Sequence, residues 1–462
     1  MQLTSELKKY QIEGIRKIEH FNGRCLLADD PGLGKTVETI AWCHWKKKKK
    51  ILIFCPAFAK YNWEDEIIYW IKDSSIQVIQ GFSPVKIIEK WVICNYDVLL
   101  DKTRTDIRVD LYEENWDVCL IDESHYISNP NSLRTLAVKT LVADIPHVIL
   151  MSATPGKNRP IDLFVPLNII DSTIFPSFYK YGHKFCDPKH KHGKWEYKGA
   201  TNTKELHKIL TSTFMIRRTI EQVFPQLPER IRIPVLLEGG KELETTDISL
   251  HAFEKMKQSA VKSKLPAMIE WIKNMLITED KLIIFGEHKF TIDSIYNAFP
   301  NISVRVDGSI SSASKRQEAV YQFQRCDNCG VKKEFHGRNK AACSAYVPDL
   351  STRLFIGSRA AKESGTLTAA NHTVFTELWW SMKDHKQAEG RAFGRAGDLH
   401  GTTNWYLIAK DTIEEHIAKI ISLKNERMSM VIDGKEVSKN LLLSALIKKY
   451  KRKQNGQKNH DY

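Results

Sequence analysis

The sequence predicts an α/β protein whose strands lie parallel in doubly wound sheets. Three observations carry that expectation. Short, wholly apolar runs recur at residues 51–55, 91–94, 118–121 and 148–151, as strands buried on both faces require. Helical patterns fill the intervals, so strand and helix alternate along the chain. Acidic or small hydroxyl residues stand just past several of the runs, at the carboxyl ends where such sheets bind ligands.

Length and composition set the frame. At 462 residues the chain suits two or three domains, and 42% hydrophobic with 27% charged residues is a globular composition. No apolar run is long enough to cross a bilayer, and Met1-Gln2-Leu3-Thr4-Ser5-Glu6 lacks the apolar core of a signal peptide. A cytosolic or nuclear setting is therefore expected. Lysine and arginine number 69 against 55 acids, a net charge of +14, which favours a polyanionic partner without naming one. Of the nine cysteines, Cys25, Cys43, Cys55, Cys94 and Cys119 sit in apolar segments and read as small buried hydrophobes in a reducing compartment.

Taken in order, the first element is a helix whose apolar spacing runs through Leu7, Ile12 and Ile15. Next comes Leu26-Leu27-Ala28-Asp29-Asp30-Pro31-Gly32-Leu33-Gly34-Lys35-Thr36, a buried strand, a glycine turn and a helix start. That order is the order of a phosphate cradle. Gly32 and Gly34 let backbone N–H groups converge on a polyphosphate at the positive end of the following helix. Lys35 is placed to reach the β and γ phosphates, and the hydroxyl of Thr36 to hold magnesium. The strict pattern has glycine at 29, where this chain has Asp29.

The helix through Trp45 ends in five lysines, residues 46–50, which read as a solvated connection, with a DNA contact as the alternative. The apolar run at 118–121 leads into Asp122-Glu123-Ser124-His125. An acidic pair at a buried strand end, downstream of a lysine loop, suits Asp122 to magnesium and Glu123 to polarising a water. The run at 148–151 leads into Ser152-Ala153-Thr154-Pro155, small hydroxyl residues suited to coupling the phosphate site to another surface.

Farther on, Cys326 and Cys329 are followed by His336 and Cys343, giving C-x2-C-x6-H-x6-C. Three sulfurs, one imidazole and a tight first pair suit tetrahedral zinc, and a polar loop gains little from burial without a metal. His372 is the alternative fourth ligand. The basic end, residues 448–453, offers non-specific phosphate contacts or a solvated tail.

The ordered segments 29–36, 122–125 and 152–155 resemble motifs I, II and III of superfamily-two helicases, in the SWI/SNF-type DNA-dependent ATPase branch. In that branch an acidic residue stands at the position of Asp29. Gln11 matches the family's adenine-reading glutamine, Pro56-Ala57 its motif Ia, and Asn95-Tyr96-Asp97 its motif Ib, which touches the DNA backbone. The likeness continues through a buried strand at 281–285, Asp307-Gly308-Ser309 with Arg316, residues 366–370 (motif V) and Gln387-Ala388-Glu389-Gly390-Arg391 through Arg395 (motif VI). It covers about residues 5–435. The Cys/His stretch falls where the family commonly runs with a shorter connection.

The resemblance implies two RecA-like parallel-sheet lobes with a helical insertion between them and a C-terminal helical segment. The expected division is 1–165 for the ATP-binding lobe, 166–263 for insertion and linker, 264–425 for the second lobe, and 426–462 for the C-terminal segment. Arg391 and Arg395 are the expected transition-state arginines, although three residues separate them where the family has two. Tyr181 to Asp187, Trp195, Gly199, Phe214 to Arg218 and Leu227-Pro228 resemble the HARP-like annealing-helicase group, whose members rewind or remodel forked DNA.

The expectation is thus a monomeric, ATP- and magnesium-dependent translocase on duplex or forked DNA, nuclear in a eukaryote and cytoplasmic in a bacterium or phage. The rivals are a strand-separating helicase on DNA or RNA, and a nucleotide-gated DNA clamp without turnover.

Overall fold

The computed structural model describes residues 3, 5–79, 86–100, 110–156, 159–225, 230–239, 250–310, 312–336, 342–359, 361, 366–392 and 401–434. The chain forms two compact units, residues 1–225 with 427–436, and residues 226–426 with 437–462.

The first unit carries a seven-stranded parallel sheet built from β1 (Arg24–Leu27), β2 (Ile51–Cys55), β3 (Ile76–Val78), β4 (Trp91–Asn95), β5 (Val118–Asp122), β6 (His147–Met151) and β9 (Met215–Ile216). Its order is β3-β4-β2-β5-β6-β1-β9. Between β6 and β9 in the chain stands an antiparallel hairpin, β7 (Lys189–Lys191) and β8 (Lys194–Glu196). The apolar runs become strands because both faces of each are covered. Leu52, Phe54, Val92, Cys119 and Leu150 point into one core, while Ile51, Ile53, Ile93, Leu120 and Ile149 point into the other. All five residues of β2 are buried. Cys25, Cys43, Cys55, Cys94 and Cys119 are buried too, and burial pushes each thiol well above its usual range.

Helices Phe164–Ile170, Phe178–Phe185 and Thr203–Thr213 complete the first of these cores, with Phe175, Tyr181, Phe185, Leu206, Leu210 and Phe214 buried beside Leu26 and Leu150. The chain then adds β9 beside β1, with Leu26 and Leu27 opposite Met215 and Ile216. This edge strand brings Arg217 and Arg218 to the carboxyl end of β1.

The second unit carries a six-stranded parallel sheet of β10 (Ile231–Leu237), β11 (Leu282–Gly286), β12 (Ser303–Val306), β13 (Leu354–Ser358), β14 (His372–Phe375) and β15 (Thr403–Ala409). The order is β10-β15-β14-β11-β13-β12. Here too side chains alternate between two cores, with Ile283, Phe285, Phe355 and Phe375 on one face and Leu282, Ile284, Ile356 and Val374 on the other. The expected α/β class with two parallel-sheet lobes is the fold observed. Among the described residues no helix is long and apolar enough to cross a membrane.

Candidate functional site

The glycine turn after β1 is shaped by two left-handed residues, Gly32 at φ +86° and Gly34 at φ +87°. An L side chain is strained at either position. Gly34 has a further reason to be glycine, since a Cβ there would meet Gln11 Nε2 at 2.6 Å. Gln11 is held in turn at the start of helix Lys9–His20, where its Oε1 accepts the Lys8 N–H at 2.9 Å. Helix Lys35–Trp45 begins directly after Gly34, so its unpaired first-turn N–H groups open onto the turn.

Lys35 is folded onto this turn. Its ammonium donates to the carbonyls of Asp29 (2.8 Å) and Asp30 (3.2 Å). Burial lowers its pKa, and Asp29, Glu123, Asp122 and Asp30 oppose that shift. Thr36 is half-buried on the first turn of the same helix.

The acidic pair stands at the end of β5, two strands from β1 across β6. Asp122 Oδ2 accepts from Trp63 Nε1 at 3.0 Å, and Oδ1 accepts the Glu123 N–H at 2.9 Å. The Asp122 carbonyl accepts from the hydroxyl of Tyr96, which is itself buried. Burial, with the Glu123 charge beside it, pushes the Asp122 carboxyl up to about 6. Glu123 adopts φ +51°, in the left-handed region that non-glycine residues rarely occupy, a strain often kept at sites of function. Its Oε2 lies 3.2 Å from Ser152 Oγ and 3.1 Å from His125 Nδ1. Ser152 also donates its N–H to the Leu27 carbonyl at 3.2 Å. Ser152, the residue after β6, thereby links Glu123 to the end of β1, from which the lysine loop starts.

Asp29, fully buried, faces arginine. Its carboxylate accepts from the Arg218 N–H at 2.7 Å, from Nε at 3.0 Å and from Nη2. Arg218 Nη2 also reaches both carboxylate oxygens of buried Glu38 at 2.7 Å, and Nη1 donates to the Tyr10 carbonyl. Burial pushes Glu38 up to about 8 against the pull of Arg218. Arg217 makes a second clasp, donating to the Ala28 carbonyl at 2.7 Å and pairing with Asp30 at 2.7 Å and Asp433 at 2.8 Å. A Cβ at Gly14 would lie 1.9 Å from Glu38 Oε2. The acid at position 29 is therefore an anchor for β9. Arg217 and Arg218 fall in a segment with family likeness but carry no local signal that ties them to the loop, and Trp63 carries none that ties it to Asp122.

The remaining first-unit residues have plain places. Asp97 pairs with Arg134 at 2.6 Å. In the five-lysine run Lys46 pairs with Glu19 and Lys50 with Glu114, and Asp117 accepts the N–H groups of Lys49 and Lys50. The run is a tied connection between helix and β2.

In the second unit Arg391 is half-buried near the end of helix Met382–Ala392, and its carbonyl accepts the Leu367 N–H at 2.8 Å. Arg395, Leu227-Pro228 and the basic end 448–453 lie outside the described residues. Glu389, inside the expected motif VI, resists the cost of burial because Arg232 holds it bidentately at 2.7 Å, with Tyr406 adding a hydroxyl. Its carboxyl is held down to about 2. Asp307 accepts from Ser309 and Arg305, and Arg316 Nε donates to the Ile310 carbonyl at 2.7 Å.

The Cys/His stretch closes on itself. Cys326, Cys329, His336 and Cys343 bring one ligand atom each to within 4.8 Å of all the others, the one such group among the described residues. Cys343 Sγ lies 3.6 Å from Cys326 Sγ, 3.5 Å from Cys329 Sγ and 3.3 Å from His336 Nε2. Edges of a tetrahedron with Zn–S and Zn–N bonds of ordinary length are about 3.5 to 3.8 Å, so the spacing fits. His372 lies elsewhere, its Nδ1 facing Trp405 Nε1 at 3.0 Å and its Nε2 facing Glu279 at 3.0 Å.

Fold and site together define a two-sheet α/β protein with a lysine loop and an acidic pair at the ends of parallel strands. The SNF2-related domain matches residues 10–273, and the chain belongs to that family. Among curated relatives it is 31% identical over 473 residues to the DNA annealing helicase and endonuclease ZRANB3 of Homo sapiens, covering 94% of this chain and 41% of that protein. It is 28% identical over 448 residues to the SWI/SNF-related matrix-associated actin-dependent regulator of chromatin subfamily A-like protein 1 of Xenopus tropicalis, covering 91% and 44%. The chain thus spans less than half the length of these relatives. The solved Sulfolobus solfataricus SWI2/SNF2 ATPase core in complex with dsDNA covers 96% of this chain and 97% of its own, with 24% identity and a TM-score of 0.45.

Proposed function

We propose that the chain is a DNA-stimulated ATP hydrolase that moves along duplex or forked DNA. The observation that carries this reading is the convergence of Lys35, Asp122, Glu123 and Ser152 at the ends of neighbouring parallel strands, around a turn opened by Gly32 and Gly34. In this reading the turn and Lys35 hold the phosphates, and Gln11 reads adenine. The donor set of a hydroxyl (Thr36) and a carboxylate (Asp122) fits magnesium, a hard cation that takes oxygen ligands. When bound, that ion supplies charge neutralisation at the phosphates. Glu123 orients the attacking water, with Ser152 and His125 fixing its carboxylate. Arg391 and Arg395 stabilise the charge of the transition state.

Family membership supports hydrolysis coupled to DNA, and the name of one relative, a DNA annealing helicase and endonuclease, favours strand annealing as the biological outcome, with fork remodelling as the wider reading. The expected setting is a monomer, nuclear in a eukaryote or cytoplasmic in a bacterium or phage. The direct test is ATP turnover with duplex DNA, forked DNA, single-stranded DNA and RNA, at fixed salt because phosphate contacts make affinities salt-dependent. Stimulation by duplex or forked DNA is expected. Stimulation by RNA alone would favour the helicase alternative, and DNA binding without phosphate release would favour the clamp.

Zinc is the metal that the Cys/His cluster fits, in a structural role because all four positions are filled by protein ligands. Purified without chelator, the protein is expected to carry one zinc ion per chain by elemental analysis. Cys326→Ser is expected to lose most of it. Substoichiometric zinc in the wild type, with content unchanged in the variant, would contradict the assignment.

A further inference from the structure

The hairpin β7–β8 is a small element with an unusual surface. Its two-residue turn has positive φ at both positions, His192 at +47° and Gly193 at +73°, the geometry that matches the twist of a tight hairpin. It is not loosely hung. Tyr197, just past β8, packs on Phe178 and donates to or accepts from His183 Nδ1 at 3.0 Å, and a Cβ at Gly182 would meet the Tyr197 ring at 2.6 Å. At the base, Gly199 N–H donates to the Cys186 carbonyl.

On this rigid mount stands a row of four rings. Tyr179 and His183 on helix Phe178–Phe185 are 3.8 Å apart between centroids, His183 and Trp195 are 4.5 Å apart, and Trp195 and His190 are 5.1 Å apart. The row opens to solvent at Trp195 and Tyr179, which are 44% and 53% exposed. Lysines surround it. Lys184, Lys189 and Lys198 pair with Glu205, Asp187 and Glu196, while exposed Lys180, Lys191 and Lys194 carry the excess positive charge. Burial does not account for the row, because a ring packed for stability would be covered.

We propose that this hairpin and the helix beneath it bind an unpaired DNA strand, with bases stacking on Trp195 and Tyr179 and phosphates met by Lys180, Lys191 and Lys194. Exposed aromatic faces interleaved with lysines are the chemistry that recognises single strands, because every unpaired base offers a flat face that a duplex keeps inside its own stack. The inference rests on the reading of the chain as a DNA motor and gives that motor a contact for the open arm of a fork. The hairpin lies wholly within the first unit, and none of its residues belongs to the nucleotide site.

Fluorescence anisotropy at fixed salt tests it, with oligo-dT, a fork with oligo-dT arms, a blunt duplex and oligo-rU as probes. Trp195→Ala is expected to weaken oligo-dT and fork binding about tenfold and to leave the blunt duplex within about twofold. Trp195→Phe should recover most of the loss, and joint replacement of Lys191 and Lys194 by Glu should weaken the strand and lower its salt dependence. Equal losses on fork and blunt duplex, or no loss on any probe, would overturn the proposal. Dependence on Trp195 with oligo-rU alone would overturn its assignment to DNA. Thermal unfolding identifies a misfolded variant, in which case Tyr179→Ala at the other end of the row makes the same test. A wild type without DNA-stimulated hydrolysis but with Trp195-dependent strand binding would remove the motor and keep the hairpin.

Discussion

Lys35→Ala is expected to lower DNA-stimulated ATP turnover by at least about a hundredfold, the effect of removing one preorganised charge from a transition state. The two carbonyls its ammonium reaches belong to its own turn, so its removal breaks neither of them away from a distant segment. The variant should therefore fold and retain most DNA affinity, and the loss should appear in kcat. A phosphate-release assay at saturating DNA checks this. Retained wild-type turnover would remove Lys35 from the proposed mechanism.

Arg218→Ala is expected to cost about 3–5 kcal/mol of stability, because it leaves the Asp29 carboxylate buried without its cation and strips buried Glu38 of its donor. Both acids have fully buried side chains, whereas a surface pair would contribute little. Asp29→Gly, which restores the strict phosphate-loop pattern, is expected to destabilise the first unit, since it unpairs Arg218 and loosens β9 from β1. Denaturant unfolding of wild type, Arg218→Ala and Asp29→Gly measures both effects. A neutral or stabilising Asp29→Gly would show that the anchor contributes nothing.

What was legible in the sequence is what local chemistry encodes. The strands at 51–55, 118–122 and 282–286 announce themselves because strands buried on both faces must be apolar throughout. Lys35, Asp122 and Glu123 are legible because each sits a residue or two from such a strand or from a glycine turn. Cys326, Cys329, His336 and Cys343 are legible as a candidate ligand set from spacing and chemistry, and the structure brings one ligand atom of each to within 4.8 Å of the others.

Other features depend on approach through space. Arg218 lies 189 residues from Asp29, and a two-residue strand such as β9 has no periodicity to detect. Trp63 reads as one more apolar helix residue until its indole N–H is found on Asp122. The basic hairpin hid inside a segment read for its family likeness, although the glycine at 193 marked its turn.

In the proposed reading this chain turns over ATP in response to DNA through Lys35, Asp122 and Glu123. Steady-state phosphate release by the wild type and Glu123→Gln, with and without duplex or forked DNA in magnesium at fixed salt, tests it most directly. Strong DNA stimulation is expected in the wild type, with near-complete loss in Glu123→Gln and DNA binding preserved. Turnover that ignores DNA, or that survives in Glu123→Gln, would contradict it.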